Sequence, residues 1–220
     1  MRARRSVVLP RAELRVDGRL PAVFWLGVTL KLGLVLILLP PLLQPGLEQY
    51  EGKGMSWRIL VYPLAGVIVP VLWHATGARA PYPYLADNLL VLPPLTDVVW
   101  NTLDAYDRIR WWDDANHLVY AMAFAAVIGL LAGRYPLGQV ARFGLALGLS
   151  MTLQVVWEIG EYWVLIADLS SSVQGYEDTI GDVTFGLVGA ALGAGFALVA
   201  AVTPGAADGT EPAPVLVTRD

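Results

Sequence analysis

The chain contains no cysteine, which excludes disulfide scaffolds, thiolate metal sites and cysteine nucleophiles and leaves the redox compartment unassigned. Charge is scarce as well. Charged residues are 15% of the 220, against about 25% in an average soluble domain, while 56% belong to the hydrophobic set. A soluble domain of this length needs a far more charged surface, so the composition points to a membrane protein. A basic face is missing too. The formal net charge is -4, so nucleic acid is not an expected partner, whereas membrane lipid is. The chain also lacks a Walker loop, a dinucleotide fingerprint, a Gly-x-Ser-x-Gly elbow and a His-Glu-x-x-His pair, and it shows no internal repeat of useful length.

What the chain has in quantity is uninterrupted apolar sequence. A bilayer core about 30 Å thick takes about 20 apolar residues in a helix, so the gaps between charged residues mark the spans. Leu20 to Leu47 carries only Lys31, Ile59 to Ala78 carries no formal charge, Ala115 to Gly133 carries only His117, and Val183 to Ala207 carries none. Phe143 to Ala167 is a fifth span, interrupted by Glu158 and Glu161; intramembrane carboxylates are costly and rarely accidental. Leu85 to Asp104 is less apolar, with Asp87, Asn88, Asp97 and Asn101 along it and Pro93-Pro94 to kink it. It either crosses or lies flat. The expected fold is therefore all-α, a polytopic transmembrane helix bundle of six spans, with five spans plus one interfacial helix as the alternative.

Residues 1–19 read as a basic cytoplasmic arm, 20–203 as the transmembrane helical domain and 204–220 as a disordered tail rich in Ala, Gly and Pro. With six spans, the arginines of the arm fall inside with Arg79, Arg134, Arg142 and Arg219, and Lys53, Arg58, Arg108 and Arg110 fall outside. With five, Arg108 and Arg110 move in while Arg134, Arg142 and Arg219 move out, so the count of inside charges slightly favours six. The positive-inside rule puts the amino end in the cytoplasm either way, in the cell's inner membrane. The basic region runs to Arg19 and no small-x-small site follows Leu43 before the charged loop, so the first apolar stretch is expected to stay as a helix.

Three polar pairs sit at helical spacing. Asp113 and His117 are an i,i+4 pair whose face continues through Ala121 and Phe124. Gln154, Glu158 and Glu161 fall within about 60° of one another on the next span. Asp178 and Asp182 are again i,i+4, and the face of Asp182 runs on through Gly186, Gly189 and Gly193, small residues that permit close helix packing. The first pair opens the fourth span and the third opens the sixth, while Glu158 lies about 24 Å of helix rise beyond Arg142. All three thus lie near one membrane face, extracytoplasmic in the six-span topology. Trp57, Trp100, Trp111, Trp112 and Trp163 sit near the same level, as interface anchors do.

The order Asp-x-x-x-His at a span start, then Glu-x-x-Glu, then Asp-Thr-x-x-Asp before a Gly/Ala helix resembles the YjdF-like inner-membrane proteins and, more distantly, the VanZ-like family. The resemblance covers residues 106–200. Asp113 and His117 match the family Asp and His, Glu158 and Glu161 its Glu-x-x-Glu, and Asp178, Thr179 and Asp182 its Asp-Thr-x-x-Asp. Gly186 stands where VanZ-like proteins usually carry an Asn. The resemblance implies an architecture and a candidate site, with no reaction attached.

One imidazole and five carboxylates, from Asp113, His117, Glu158, Glu161, Asp178 and Asp182, form a set suited to a divalent metal: Mg, Mn or Ca, or Zn or Fe if His117 ligates. Such charges brought together must share protons or recruit a counter-charge, and the basic candidates in sequence are Arg108, Arg110 and Lys31. A metal there could act on a lipid or lipid-linked substrate, with Glu158 and Glu161 as candidate catalytic carboxylates. The plain structural alternatives are that Asp113 and Asp178 cap helix starts and that His117 makes an interhelical hydrogen bond. Glu158 resists such an explanation. A proton- or cation-coupled transporter is the second functional class, and a membrane scaffold the third. Among the remaining polar residues, Lys31 snorkels or pairs with a carboxylate, His74 is an end-of-helix residue, and Gly144 and Gly148 offer a weak packing motif.

Overall fold

The structure, a computed structural model, describes residues 21–51, 53–78, 81–163 and 172–202. The basic arm and the C-terminal tail read from the sequence lie outside the described residues. Those described form helices and turns, with no strand among them.

Helix α1 (Ala22–Ile37) starts directly after Pro21 and is followed by α2 (Leu39–Leu43). Next come α3 (Met55–Val61), a 3-10 segment at Tyr62–Gly66, and α4 (Ile68–Ala75). The sequence predicts one helix over 59–78. The structure instead bends the segment by 41° between Met55–Gly66 and Ile68–Ala75. Prolines account for the break: Pro63 has no N–H for the carbonyl four residues back, and Pro70 has none for Gly66. Helix α5 (Tyr84–Thr102) stays a single helix in spite of Pro93 and Pro94, and a short α6 (Ala105–Arg108) leads to α7 (Trp112–Ala132). Helices α8 (Gln139–Glu161) and α9 (Ser172–Val202) are the last elements among the described residues. Both begin earlier than the apolar gaps suggest, so Asp178 and Asp182 lie within α9, and neither Asp178 nor Asp113 makes a side-chain cap at a helix start.

Among the described residues, four helical stretches are long and apolar enough to cross a membrane: Ala22–Leu43, Trp112–Ala132, Gln139–Glu161 and Tyr176–Ala200. The bent segment makes a fifth if its two parts form one span. Helix α5 is more polar but no less enclosed, for Asp87, Asn88, Val91, Asp97, Val98 and Asn101 are all buried. It runs parallel to α1, with Gly27 beside Asn88 and Gly33 beside Leu95. It runs antiparallel to α7, where Trp100 meets Trp112 edge-on at 4.8 Å and Thr96 lies 3.3 Å from the Tyr120 hydroxyl.

Helices α7, α8 and α9 form the second half. Its core is an alanine cluster, Ala121, Ala125, Ala146, Ala190 and Ala194. Small side chains bring α9 parallel to α7 and almost onto it: a Cβ at Gly189 or Gly193 would collide with the carbonyl of Leu118 or Met122. The two glycines are four residues apart, as are the two carbonyls, which fixes the register of α9 on α7. Gly144 and Gly148, by contrast, face open space: a Cβ at either would meet nothing within 4 Å among the described residues.

Candidate metal centre

The register of α9 on α7 brings Asp182 beside His117. Asp113, one turn before His117 on α7, offers Oδ1 at 3.4 Å from Nε2 of the ring, and Asp182 offers Oδ1 at 3.6 Å from the same nitrogen. From α8, Glu158 Oε1 lies 3.4 Å from the other nitrogen, Nδ1. The Gln154 amide hydrogen-bonds Nδ1 and also donates to Glu158 Oε1 at 2.9 Å. Gly186 on α9 makes room for that amide, since a Cβ there would lie 3.0 Å from the Gln154 side chain.

The imidazole therefore has two distinct sides. Its Nδ1 lies beside the Gln154 amide and 3.4 Å from the Glu158 carboxylate, the latter an acceptor of the kind that holds a ligating histidine's second nitrogen, and its Nε2 faces the carboxylates of Asp113 and Asp182. Asp113, His117 and Asp182 each offer one donor atom within 4.8 Å of the others, and so do His117, Glu158 and Glu161. Two oxygens on opposite sides of one cation bound at 2.0–2.4 Å are separated by at most about 4 to 5 Å, so both groups have the dimensions of a coordination shell. Asp182 is the most telling member. It is 1% exposed, and neither of its carboxylate oxygens has a hydrogen-bond partner among the described residues. A buried carboxylate left so is far too costly to be incidental. The opposite edge is open, for the Asp113 side chain is 38% exposed.

Asp178 lies one turn before Asp182 with its side chain exposed, and it belongs to neither donor group. Asp114 packs against Gly181, where a Cβ would come to 2.6 Å from its carboxylate. The basic counter-charge also differs from expectation. Lys31 is engaged with Asp87 at 2.8 Å, and Arg108 with Asp104 at 3.0 Å on the surface. The cation that reaches the cluster is Arg58 of α3, whose guanidinium lies 4.0 Å from Glu161 Oε1.

Arg58 is itself fixed on several sides. Its Nε donates to Asp97 Oδ2 at 2.7 Å, a terminal nitrogen donates to the Lys53 carbonyl, and the guanidinium sits 5.3 Å above the ring of Trp157. Asp97 also accepts from Tyr62 at 2.7 Å and from Tyr106 at 2.8 Å. Burial, and after it the Asp97 charge, holds the Tyr106 phenol well above its usual titration range, so it remains a donor. The sequence held a partial signal for this group: an arginine at one end of an apolar stretch and an aspartate inside another are each costly alone and less costly together.

Helices of this length and polarity, with a buried His/carboxylate cluster, define a polytopic helical membrane protein. The chain belongs to a family described as "Predicted membrane protein (DUF2238)", which it matches over residues 30–202. The YjdF-like resemblance is to this same family, whereas nothing in the comparisons supports the VanZ similarity. No curated protein and no solved structure matches the chain.

Proposed function

We propose that the cluster binds one divalent cation and that the protein is a membrane-embedded enzyme acting on a lipid or lipid-linked substrate. The observation that carries this reading is the buried Asp182 carboxylate, which has no hydrogen bond at either oxygen among the described residues and whose Oδ1 lies 3.6 Å from Nε2 of His117. Asp113, His117 and Asp182 are the ligands, and one imidazole among carboxylates favours Mn, Zn or Fe over Ca. Glu158 and Gln154 orient the ring. Glu161, half-buried and facing Arg58, is the carboxylate free to act as general base. A bound cation would polarise a phosphoryl or acyl oxygen, or activate water beside it.

In the accompanying topology α5 is a sixth span, parallel to α1 and antiparallel to α7. Odd-numbered spans then run outward and even-numbered ones return. With the amino end in the cytoplasm of the inner membrane, the centre faces the extracytoplasmic surface and membrane lipid is its natural partner.

Elemental analysis and metal titration of detergent-purified protein test the reading, with Asp182→Asn beside the wild type. Stoichiometric metal in the wild type, lost in the variant, is the expected result. No binding of any common divalent ion by either protein overturns it. A second reading, a proton- or cation-coupled transporter, is favoured by one observation: α5 buries Asp87 and Asn88 as well as Asp97, and Oδ1 of both Asp87 and Asn88 lacks a hydrogen bond among the described residues. That reading requires pH-driven flux in proteoliposomes without added metal.

A further inference from the structure

Next to the metal centre, α8 and α9 part to form an open groove of about 350 Å³. Val155, Ile159 and Tyr162 line one bank, Thr179 and Val183 line the other, and Glu158 is the charged residue in its wall. From this arrangement we infer that the groove admits the acyl chain of a bilayer lipid, sideways from the membrane, to the His117 cluster. The inference rests on the proposed enzyme reading and names how its substrate arrives.

Helix geometry makes the centre and the groove neighbours. At 100° per residue, Glu158 lies about 40° round α8 from Gln154, and Tyr162 about 40° further in the same direction. On α9, Thr179 and Val183 lie about 60° and about 100° round from Asp182. Each helix thus passes from site residues to groove residues within a fraction of a turn. Glu158 belongs to both, with Oε1 held by Gln154 beside His117.

The surroundings identify the occupant. Both banks belong to helices apolar enough to span, and the residues flanking the groove are turned outward: Val156 is 59% exposed and Ile180 48%. A cleft on that surface opens into hydrocarbon, and its lining is apolar apart from Glu158, Thr179 and the Tyr162 hydroxyl. Depth fits as well. Glu158 lies in the last turn of α8, level with the exposed rings of Trp57, Trp111 and Trp163, where the ester and phosphate groups of a lipid sit. A chain lying in the groove would bring its own polar linkage to the cluster. The volume is at the low end of the range for small-ligand sites, enough for part of one chain.

Absence of cysteine makes the test clean. Vesicles of phosphatidylethanolamine and phosphatidylglycerol containing a trace of phosphatidylglycerol with a photoreactive acyl chain are irradiated with the reconstituted protein, and the modified peptides are mapped. Expected is labelling at residues 155–162 and 179–183 that excess unlabelled phosphatidylglycerol competes away, while labelling at Leu72, equally lipid-facing on α4, does not saturate. Thr179→Trp fills the groove and should abolish the saturable labelling. In case that variant fails to fold, Val183→Cys coupled to a bulky maleimide after purification blocks the same groove in the folded protein. Labelling that persists in the blocked protein, or that never exceeds the level at Leu72, overturns the inference. Metal content is read on the same samples. Metal bound with the groove unlabelled removes lateral entry and leaves the enzyme reading standing, and a labelled groove without metal does the reverse.

Discussion

Between α7 and α9 the helices are held by what is missing from two residues; between α3 and α5 they are held by charge. At Gly189 and Gly193 the lack of a side chain lets α9 lie against the carbonyls of α7. At Arg58 and Asp97 a buried ion pair, with Tyr62 and Tyr106 around it, joins the bent segment to α5. Lipid chains are as apolar as leucine, so neither half draws much on the hydrophobic effect between helices; each needs close packing or polar bonds instead. The difference shows where precision is required. Backbone contact fixes α9 on α7 in a single register, and the proposed metal centre, with candidate ligands on both helices, lies at the end of that contact. The ion-paired half joins a bent segment to a proline-containing helix, where long side chains tolerate irregular spacing.

The sharpest way to break the comparison is to add side chains to α9. Gly189→Leu or Gly193→Leu must push the helices apart, and the cost is expected at or beyond the upper end of the about 1–3 kcal/mol typical of overpacking. Thermal unfolding in detergent, read with metal content, should record loss of stability and of the centre together. Gly144→Ala and Gly148→Ala, where nothing lies within 4 Å, are expected to change neither. Equal effects in the two pairs would remove the backbone-contact account.

The ion-paired half should respond asymmetrically. Arg58→Met strands Asp97 in a buried position, and breaking such a pair from one side costs roughly 3–5 kcal/mol. Adding Asp97→Leu should recover part of that loss, though not all, since Tyr62 and Tyr106 then lose their acceptor. A double variant no more stable than the single one would mean that the pair does not carry the contact.

Asp182→Asn gives opposite signs with and without metal. In metal-free protein, neutralising a buried carboxylate that has no hydrogen bond among the described residues is expected to raise stability by about 1 kcal/mol. In wild type, metal at a hundred times its dissociation constant should add about 2.7 kcal/mol, and the variant should gain none of it. A melting temperature in the variant that still rises with metal would remove Asp182 from the ligand set.

Much of the second half was legible from sequence because its signals are local. The i,i+4 spacing of Asp113 and His117, the shared face of Gln154, Glu158 and Glu161, and the small residues following Asp182 all express one helical period, and the fold keeps each helix intact. What was not legible depended on contacts between distant segments. Nothing near Arg58 in sequence marks Asp97 as its partner, and the basic residues that sequence offers as counter-charges are Arg108, Arg110 and Lys31. The bend at Tyr62–Gly66 is hidden for a different reason: an uncharged run looks the same with or without Pro63 and Pro70, although their missing donors decide the geometry. The motif at Gly144 and Gly148 misled in the opposite direction, because spacing alone cannot say whether a neighbour is there to be met.

The smallest expected effect concerns α7 and α8, which a buried side-chain hydrogen bond also joins. Ser150 is fully buried and its hydroxyl donates to the Ala121 carbonyl of α7 at 2.8 Å. Ala121 is one turn along from His117, so this bond fixes how far α8, with Gln154 and Glu158, sits from the ring. Interhelical hydrogen bonds in membrane proteins contribute about 0.6 kcal/mol on average, and Ser150→Ala should lower stability by about that amount. Thr152, exposed on the same helix, donates to the Gly148 carbonyl of its own helix, so Thr152→Ala should have no measurable effect. If the bond also sets the position of α8, Ser150→Ala should weaken metal binding while Thr152→Ala leaves it unchanged. Equal metal affinities in the two variants would mean that the alanine packing alone positions α8.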